Sequence, residues 1–132
     1  MAISYSDTVK NARANAFEVA VGASPTLELR SGAPPANCAA ADTGTLLATL
    51  TLPADWMTDA ATGQKLRQGT WSGVGAAGAG GGTVAGHFRL KQGGTCHMQG
   101  TCGTGTGDLQ LTNANIATGQ AVQVDTFTLT EL

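Results

Sequence analysis

The spacing of apolar and polar positions changes once along this chain, close to residue 22. Before that point Val9, Ala12, Ala16 and Ala20 recur at three- and four-residue intervals with Phe17 beside them, a periodicity that predicts an amphipathic helix. Ser6 or Asp7 is placed to cap its start, and Gly22 and Pro25 stop it. Lys10, Arg13 and Glu18 fall largely on other faces, so the Val/Ala row is the side expected to meet the rest of the protein. Such a helix reads as a solvated lid over one end of a sheet, with a partner-binding arm as the alternative.

After residue 22 the period falls to two. In 26–30, Leu27 and Leu29 point one way and Thr26, Glu28 and Arg30 the other, the pattern of a half-buried strand. The alternation returns in 45–52, where Leu46, Ala48, Leu50 and Leu52 oppose Thr45, Thr49 and Thr51, and Leu47 breaks the rule. It is clearest in 83–91, with Val84, Gly86, Phe88 and Leu90 inward and His87, Arg89 and Lys91 outward. Further strands are expected at 64–73, 95–101, 108–112 and 121–129. In the last of these the apolar phase runs through Val122 and Val124 and then jumps to Phe127 and Leu129, which an extra residue near Asp125 explains as a β-bulge or a change of sheet.

Seven or eight short strands separated by Gly, Pro, Asn and Asp turns predict an all-β fold, an antiparallel β-sandwich of jelly-roll type with a short N-terminal helix. A parallel sheet would call for crossover helices that the chain does not offer. The length of 132 residues suits a single domain over 1–132, a helical arm at 1–22 followed by the sandwich at 26–132. Two connections are long, 31–44 with Pro34 and Pro35, and 53–63 with Trp56 and Met57. Trp56 and Met57 are candidates for an exposed interface anchor, together with Phe17 on the helix, because aromatic side chains and Met are enriched at interfaces. The alternative is that Trp56 plugs the end of the core.

Composition sharpens this reading. The chain has 19 Gly and 19 Thr, only 12% charged residues and 5% aromatics. Its core must be filled by Leu, Val, Ala and a few anchors, Phe17, Trp56, Trp71, Phe88 and Phe127. A core that thin favours a homo-oligomer, since association stabilises the folded state by mass action. The net charge of −2 is spread without a run of either sign, so no nucleic-acid partner is expected. A basic amphipathic helix and a long apolar stretch are both missing, so no membrane partner is expected either. The stretch Met1 to Ser6 lacks the basic and apolar regions of a signal peptide, which implies synthesis in the cytosol.

Three cysteines, Cys38, Cys96 and Cys102, make an odd and sparse set, for which reduced thiols are the expectation. On one continuous strand Cys96 and Cys102 would lie roughly 20 Å apart at about 3.3 Å per residue, so only a tight reversal near Gly100 would let them bridge.

The search for chemistry returns little. Gly73, Gly75 and Gly78 spell the glycine spacing of a dinucleotide-binding turn, but Gly80, Gly81 and Gly82 follow where a helix would be needed. The tract therefore reads as a loose, mobile hairpin tip between the Trp71 and Val84 strands. A metal site would have to come from His87, Cys96, His97, Cys102 and Cys38, with no pair at the spacing of a zinc knuckle, and neighbours Cys96 and His97 point to opposite faces of a strand. Asp7, Asp42, Asp55, Asp59, Asp108 and Asp125 sit where caps and turns want carboxylates. No nucleophile elbow or carboxylate pair stands out. The expectation is a protein that is not an enzyme, with no catalytic, cofactor-binding or metal residues and no cofactor. A small cytosolic enzyme with its site assembled from distant residues is the contrasting class.

The ordered motifs carry a resemblance. Leu27-Glu-Leu-Arg-Ser-Gly-Ala-Pro-Pro-Ala is followed by Asp42-Thr-Gly-Thr-Leu-Leu-Ala-Thr-Leu-Thr-Leu, then Gly86-His-Phe-Arg-Leu, Asp108-Leu-Gln-Leu and the closing Gly119-Gln-Ala-Val-Gln-Val-Asp-Thr-Phe-Thr-Leu-Thr. Across nearly its whole length the chain resembles the small virion proteins that tailed bacteriophages and prophages encode near the major capsid protein. The resemblance implies a capsid decoration, or cement, protein of jelly-roll type, made in the host cytoplasm and then sitting on the capsid surface of the virion. Its implied partners are the major capsid protein and further copies of itself, and it carries no site residues over. A tail or head-completion protein, or a receptor- or carbohydrate-binding module of the virion, is the alternative; carbohydrate binding usually shows several exposed aromatics, and this chain has one Tyr and two Trp.

Overall fold

Helix α1 (Asp7–Val21) begins where the Ser6 hydroxyl accepts a hydrogen bond from the Val9 amide at 3.3 Å. It ends at Gly22, whose φ of 93° turns the chain while its amide donates to the Glu18 carbonyl. The structure, a computed structural model, describes residues 3–130; Met1, Ala2, Glu131 and Leu132 lie outside the described residues.

The face that α1 turns inward is not the one the apolar spacing predicts. Val9, Ala12, Ala16 and Ala20 are exposed, while Ala14 and Val21 are buried. Beside Ala14, Val21 and the partly buried Phe17, a polar row meets the body: Asn11, Asn15 and Glu18 stand at helical spacing. Asn11 Oδ1 accepts from the Gly63 amide at 2.8 Å, and Asn15 Oδ1 accepts from the Ala60 amide at 3.0 Å and from Lys65 Nζ at 2.8 Å. Glu18 receives the Met57 amide and pairs with Lys65 Nζ at 2.8 Å. The reason lies opposite the helix: the irregular 56–63 segment has amides that need acceptors, and the buried Lys65 ammonium needs a counter-charge, so polar complementarity shares the inner face with apolar burial.

The remainder is an all-β, sandwich-like curled mixed sheet. The strands are β1 (Thr26–Ser31), β2 (Leu46–Thr51), β3 (Gln64–Leu66), β4 (Ser72–Val74), β5 (Thr83–Gln92), β6 (Thr95–Thr104), β7 (Leu109–Leu111), β8 (Asn115–Ile116) and β9 (Ala121–Thr130). They run in the order β2-β1-β5-β6-β7-β9-β3, with β4 paired to β9 and β8 to β5. The expected strand at 64–73 is thus two short ones. The pairing is antiparallel except between β6 and β7, where Cys102 lies beside Leu109 in parallel register. This departs from the purely antiparallel expectation and needs no crossover helix, because each segment in the pair is only three residues long. Positive-φ Gly105 and Gly107 double the chain back, and the Asp108 carboxylate accepts from the Thr101 amide and hydroxyl to hold the loop.

The bulge read from the β9 phase jump is present: Gln110 pairs with Thr126 and Leu111 with Val124, leaving Asp125 as the extra residue. A second irregularity, between Arg30 and Ser31 against β5, puts Ala85 inward, leaves Val84 exposed and turns Gly86 toward Gly32, correcting Val84 and Gly86 as inward residues. The glycine tract is not a loose tip either. Ala79 is buried, the Ala76 amide donates to the Leu47 carbonyl, and Gly75 lies so close to the Ala117 carbonyl that a Cβ there would sit 1.8 Å from its oxygen. Lack of side chains lets this segment pack against two neighbours.

The core is a continuous cluster from Val21 to Phe127. Its spine is a chain of rings, Phe17 to Trp56 to Trp71 to Phe127 to Phe88, with successive centroids 5.8–6.0 Å apart. These are the five anchors that the scarcity of aromatics singled out.

Candidate functional site

The first candidates named from sequence, Trp56, Met57 and Phe17, come together, but inside the protein. Trp56 and Met57 are buried, so the reading of them as an exposed anchor is corrected to that of a plug. Trp56 Nε1 donates to the Gly22 carbonyl at 3.0 Å, and Trp71 Nε1 donates to the Trp56 carbonyl at 3.1 Å. Phe17, partly buried, meets Trp56 edge-on. The three residues form the joint between helix and sheet. An indole needs a partner for its N–H when buried, and the helix C-terminus supplies one.

Two surface features take their place. The first is the outer side of α1. Because the helix spends its polar row on the body, it offers solvent Val9, Ala12, Ala16, Val19 and Ala20, with Val19 81% exposed. Ile3, 82% exposed, and the exposed Tyr5 precede the N-cap, and Arg13 stacks over the Tyr5 ring with its guanidinium carbon 5.1 Å from the centroid. The inner face of α1 is thus part apolar, with Ala14, Phe17 and Val21, and part polar, while its remaining apolar residues face solvent.

The second is the outer face of β1, β5 and β6. Alternation places Glu28 and Arg30, then His87, Arg89 and Lys91, then Gln99, on the side away from the core. These side chains were expected outward, and they are; yet His87 and Arg89 are fully buried. Residues 32–44, a strap from the end of β1 to the start of β2, lie across them. Arg89 donates to the Cys38 and Ala40 carbonyls at 2.8 and 3.1 Å and pairs with Asp42. His87 Nδ1 lies 2.9 Å from the Gly32 carbonyl oxygen, and Gln99 Nε2 donates to the Pro35 carbonyl at 2.6 Å. Gly86 permits the crossing, since a Cβ there would stand 2.3 Å from the Gly32 oxygen.

Asp42, from the strap, sits among three cations: Arg89, Lys91 at 2.7 Å and Arg30 at 3.2 Å. Lys91 also pairs with Glu28 at 3.1 Å and Arg30 with Glu28 at 2.9 Å. The Lys91 hydrogen bond, aided by that of Arg89 and by the Arg30 charge and opposed by burial, holds the Asp42 carboxyl below its ordinary pKa. A cavity of about 380 Å³ opens beside this cluster, lined by Cys38, Asp42, Arg89, Lys91 and Cys96 among others.

Cys38 and Cys96 are joined in a disulfide across 58 residues. This corrects both the expectation of reduced thiols and the choice of Cys102 as the only partner considered for Cys96. Cys102 is free, buried in the core, and its thiol is pushed up to about 11 by that burial. The sequence signal for the bridge was faint: Cys38 lies in the longest polar connection and Cys96 opens β6 beside the Gly93-Gly94 turn, but separation alone does not pair them. The residues weighed as a metal set stand apart, with two of the sulfurs bonded to each other, and among the described residues no three His, Cys, Asp or Glu side chains converge on a metal position. No helix is long and apolar enough to cross a membrane among the described residues.

Comparison of the chain with protein-family models, curated proteins and solved structures finds no match.

Proposed function

We propose that this chain is a structural assembly protein, a bacteriophage capsid decoration protein that binds the major capsid protein and further copies of itself on the virion surface and stabilises the head. The observation that carries an assembly role is the outer side of α1: held to the body by Asn11, Asn15 and Glu18 and by the buried Ala14 and Val21, the helix gives Val9, Ala12, Ala16, Val19 and Ala20 to solvent. Contiguous exposed apolar surface of this kind is characteristic of interaction sites. The capsid as the place of assembly comes from the strand and turn motifs that resemble small virion proteins. Cement acts through many symmetric copies, so avidity supplies what one modest contact lacks. The disulfide suits a protein that spends part of its life outside the reducing cytosol.

The test is copy number and binding together. Mass spectrometry of purified particles should find on the order of hundreds of copies per virion, as avidity over a symmetric shell requires. Val19→Asp should leave the thermal melt unchanged and remove the protein from the particle. A handful of copies would favour a tail or head-completion part, and full occupancy by the Val19→Asp variant would remove the helix from the interface.

A further inference from the structure

The strap has an attachment unlike that of any other segment. Not one of its residues, 32–44, is buried, so it contributes no apolar side chain to the core. What holds it down is a set of directional contacts and one covalent bond. Among the described residues, every side-chain hydrogen bond of His87, Arg89 and Gln99 ends on the strap: on the carbonyls of Gly32, Pro35, Cys38 and Ala40 and on Asp42. The two layers are thus coupled. With the strap down these groups are dry and mostly paired; with it lifted they must be wet. The closed arrangement is also incomplete, since His87 Nε2, Arg89 Nε and Gln99 Oε1 are buried without a partner among the described residues. Water would satisfy these atoms on opening, which lowers the cost of the open form.

We infer that the Cys38–Cys96 disulfide is a redox latch on this strap: closed, it keeps the basic outer face of β1, β5 and β6 covered, and its reduction by a dithiol releases the strap and uncovers Arg89. The chemistry balances with that reductant alone. One of its thiolates attacks Cys38 or Cys96 Sγ, the other cysteine sulfur leaves and takes a proton, and the second thiol of the reductant then closes its own disulfide. Two electrons and two protons pass to the pair, which ends as two thiols. Scrambling does not compete, because the third thiol, Cys102, faces the opposite side of the sheet within the core. The sheet beneath does not depend on the bond: β5 pairs with β1 and β6 through its ladder, and Leu27, Leu29, Phe88 and Leu90 pack on the other face. On opening, Arg30 and Lys91 retain Glu28, whereas Arg89 loses all its partners. The exposed face then carries three cations against one carboxylate. This inference is independent of the virion reading, and its test needs only the purified chain.

Backbone 15N relaxation of the strap and hydrogen exchange of the sheet, on the full chain oxidised and in dithiothreitol, decide the matter. Reduction should lower the backbone order parameters of the strap from about 0.85 to under about 0.6 while the amides of β5 and β6 keep their exchange protection, the signature of local opening. The Cys38→Ser/Cys96→Ser double variant should show the open pattern without reductant and no further change with it. Reduced protein should also elute later than oxidised protein from a sulfonate cation exchanger at low salt. Strap order parameters that ignore reduction would show that the polar contacts suffice and there is no latch. Loss of protection throughout β5 and β6 would show that the bond supports the whole fold, and would equally overturn the inference.

Discussion

The central strands β1, β5 and β6 have two faces, and both are buried, but by different means. On one face Leu27, Leu29, Phe88 and Leu90 enter a core tied together by five aromatic rings. On the other, His87, Arg89, Lys91 and Gln99 lie beneath a strap that has no buried residue of its own. The first kind of burial is non-directional and distributed over many contacts, so no single one is decisive. The second consists of contacts that can be named one by one, each with a donor, an acceptor and a geometry. Burial alone therefore does not say how firmly a face is closed. The apolar face is closed for as long as the protein is folded; the polar face is closed by four strap carbonyls, one carboxylate and one covalent bond.

The comparison breaks most visibly on the core side. Trp56→Ala removes the second ring of the aromatic chain and the bond from its indole to Gly22, and should cost about 3–5 kcal/mol, or roughly 15 °C in Tm for a domain of this size. Urea unfolding followed by tryptophan fluorescence, with Trp71 as reporter, measures it. A cost under about 1 kcal/mol would mean the site collapses freely and the ring chain is not the spine of the core.

On the strap side the covalent bond dominates. Cys38→Ser opens a loop of 58 residues in the unfolded chain and should lower stability by about 4 kcal/mol through unfolded-state entropy, near 14 °C in Tm. Reductant should reproduce this shift in the unaltered protein and add nothing in the variant. Calorimetry of all four samples checks both statements.

These two faces also differ in how far they could be read from sequence. The core side is periodic, and period-two alternation exposed it: Leu27 and Leu29, Phe88 and Leu90, and even the extra residue at Asp125 follow from apolar phase alone. Where polar pairing decides the packing, the same reading fails. In α1 it chose Val9, Ala12, Ala16 and Ala20 as the inner side, while Asn11, Asn15 and Glu18 were claimed by amides and an ammonium from residues 57–65. Those partners are distant in sequence, and no local pattern announces them. His87, Arg89 and Lys91 were correctly placed away from the core, yet their cover was invisible, because a strap of Ala, Pro, Gly and Asn binds through backbone carbonyls that every sequence possesses. The bridge between Cys38 and Cys96 was hidden for the same reason: spacing does not encode a contact made by the fold.

The smallest effect is the most specific to the polar face. Asp42 has a pKa below its ordinary value in the folded protein, held there first by Lys91 and then by Arg89. Between that lowered value and the ordinary one of 3.8, the unfolded chain binds the proton more readily than the folded chain does. Stability therefore rises with pH across this window, is fully present above it, and is lost as acidification approaches the folded value. Asp42→Asn lacks the charge and should cost about 1 kcal/mol at pH 7, as partly exposed ion pairs do. The gap between variant and parent in urea unfolding should then narrow from pH 6 to pH 3, whereas a constant gap would assign the loss to shape and not to charge. Reduction sharpens the comparison further. If the strap lifts when the disulfide opens, Asp42 no longer meets Arg89, and the same substitution should cost less in reduced protein than in oxidised protein. An undiminished cost would mean that the carboxylate stays among its three cations without the bond, and that the polar face is closed by charge alone.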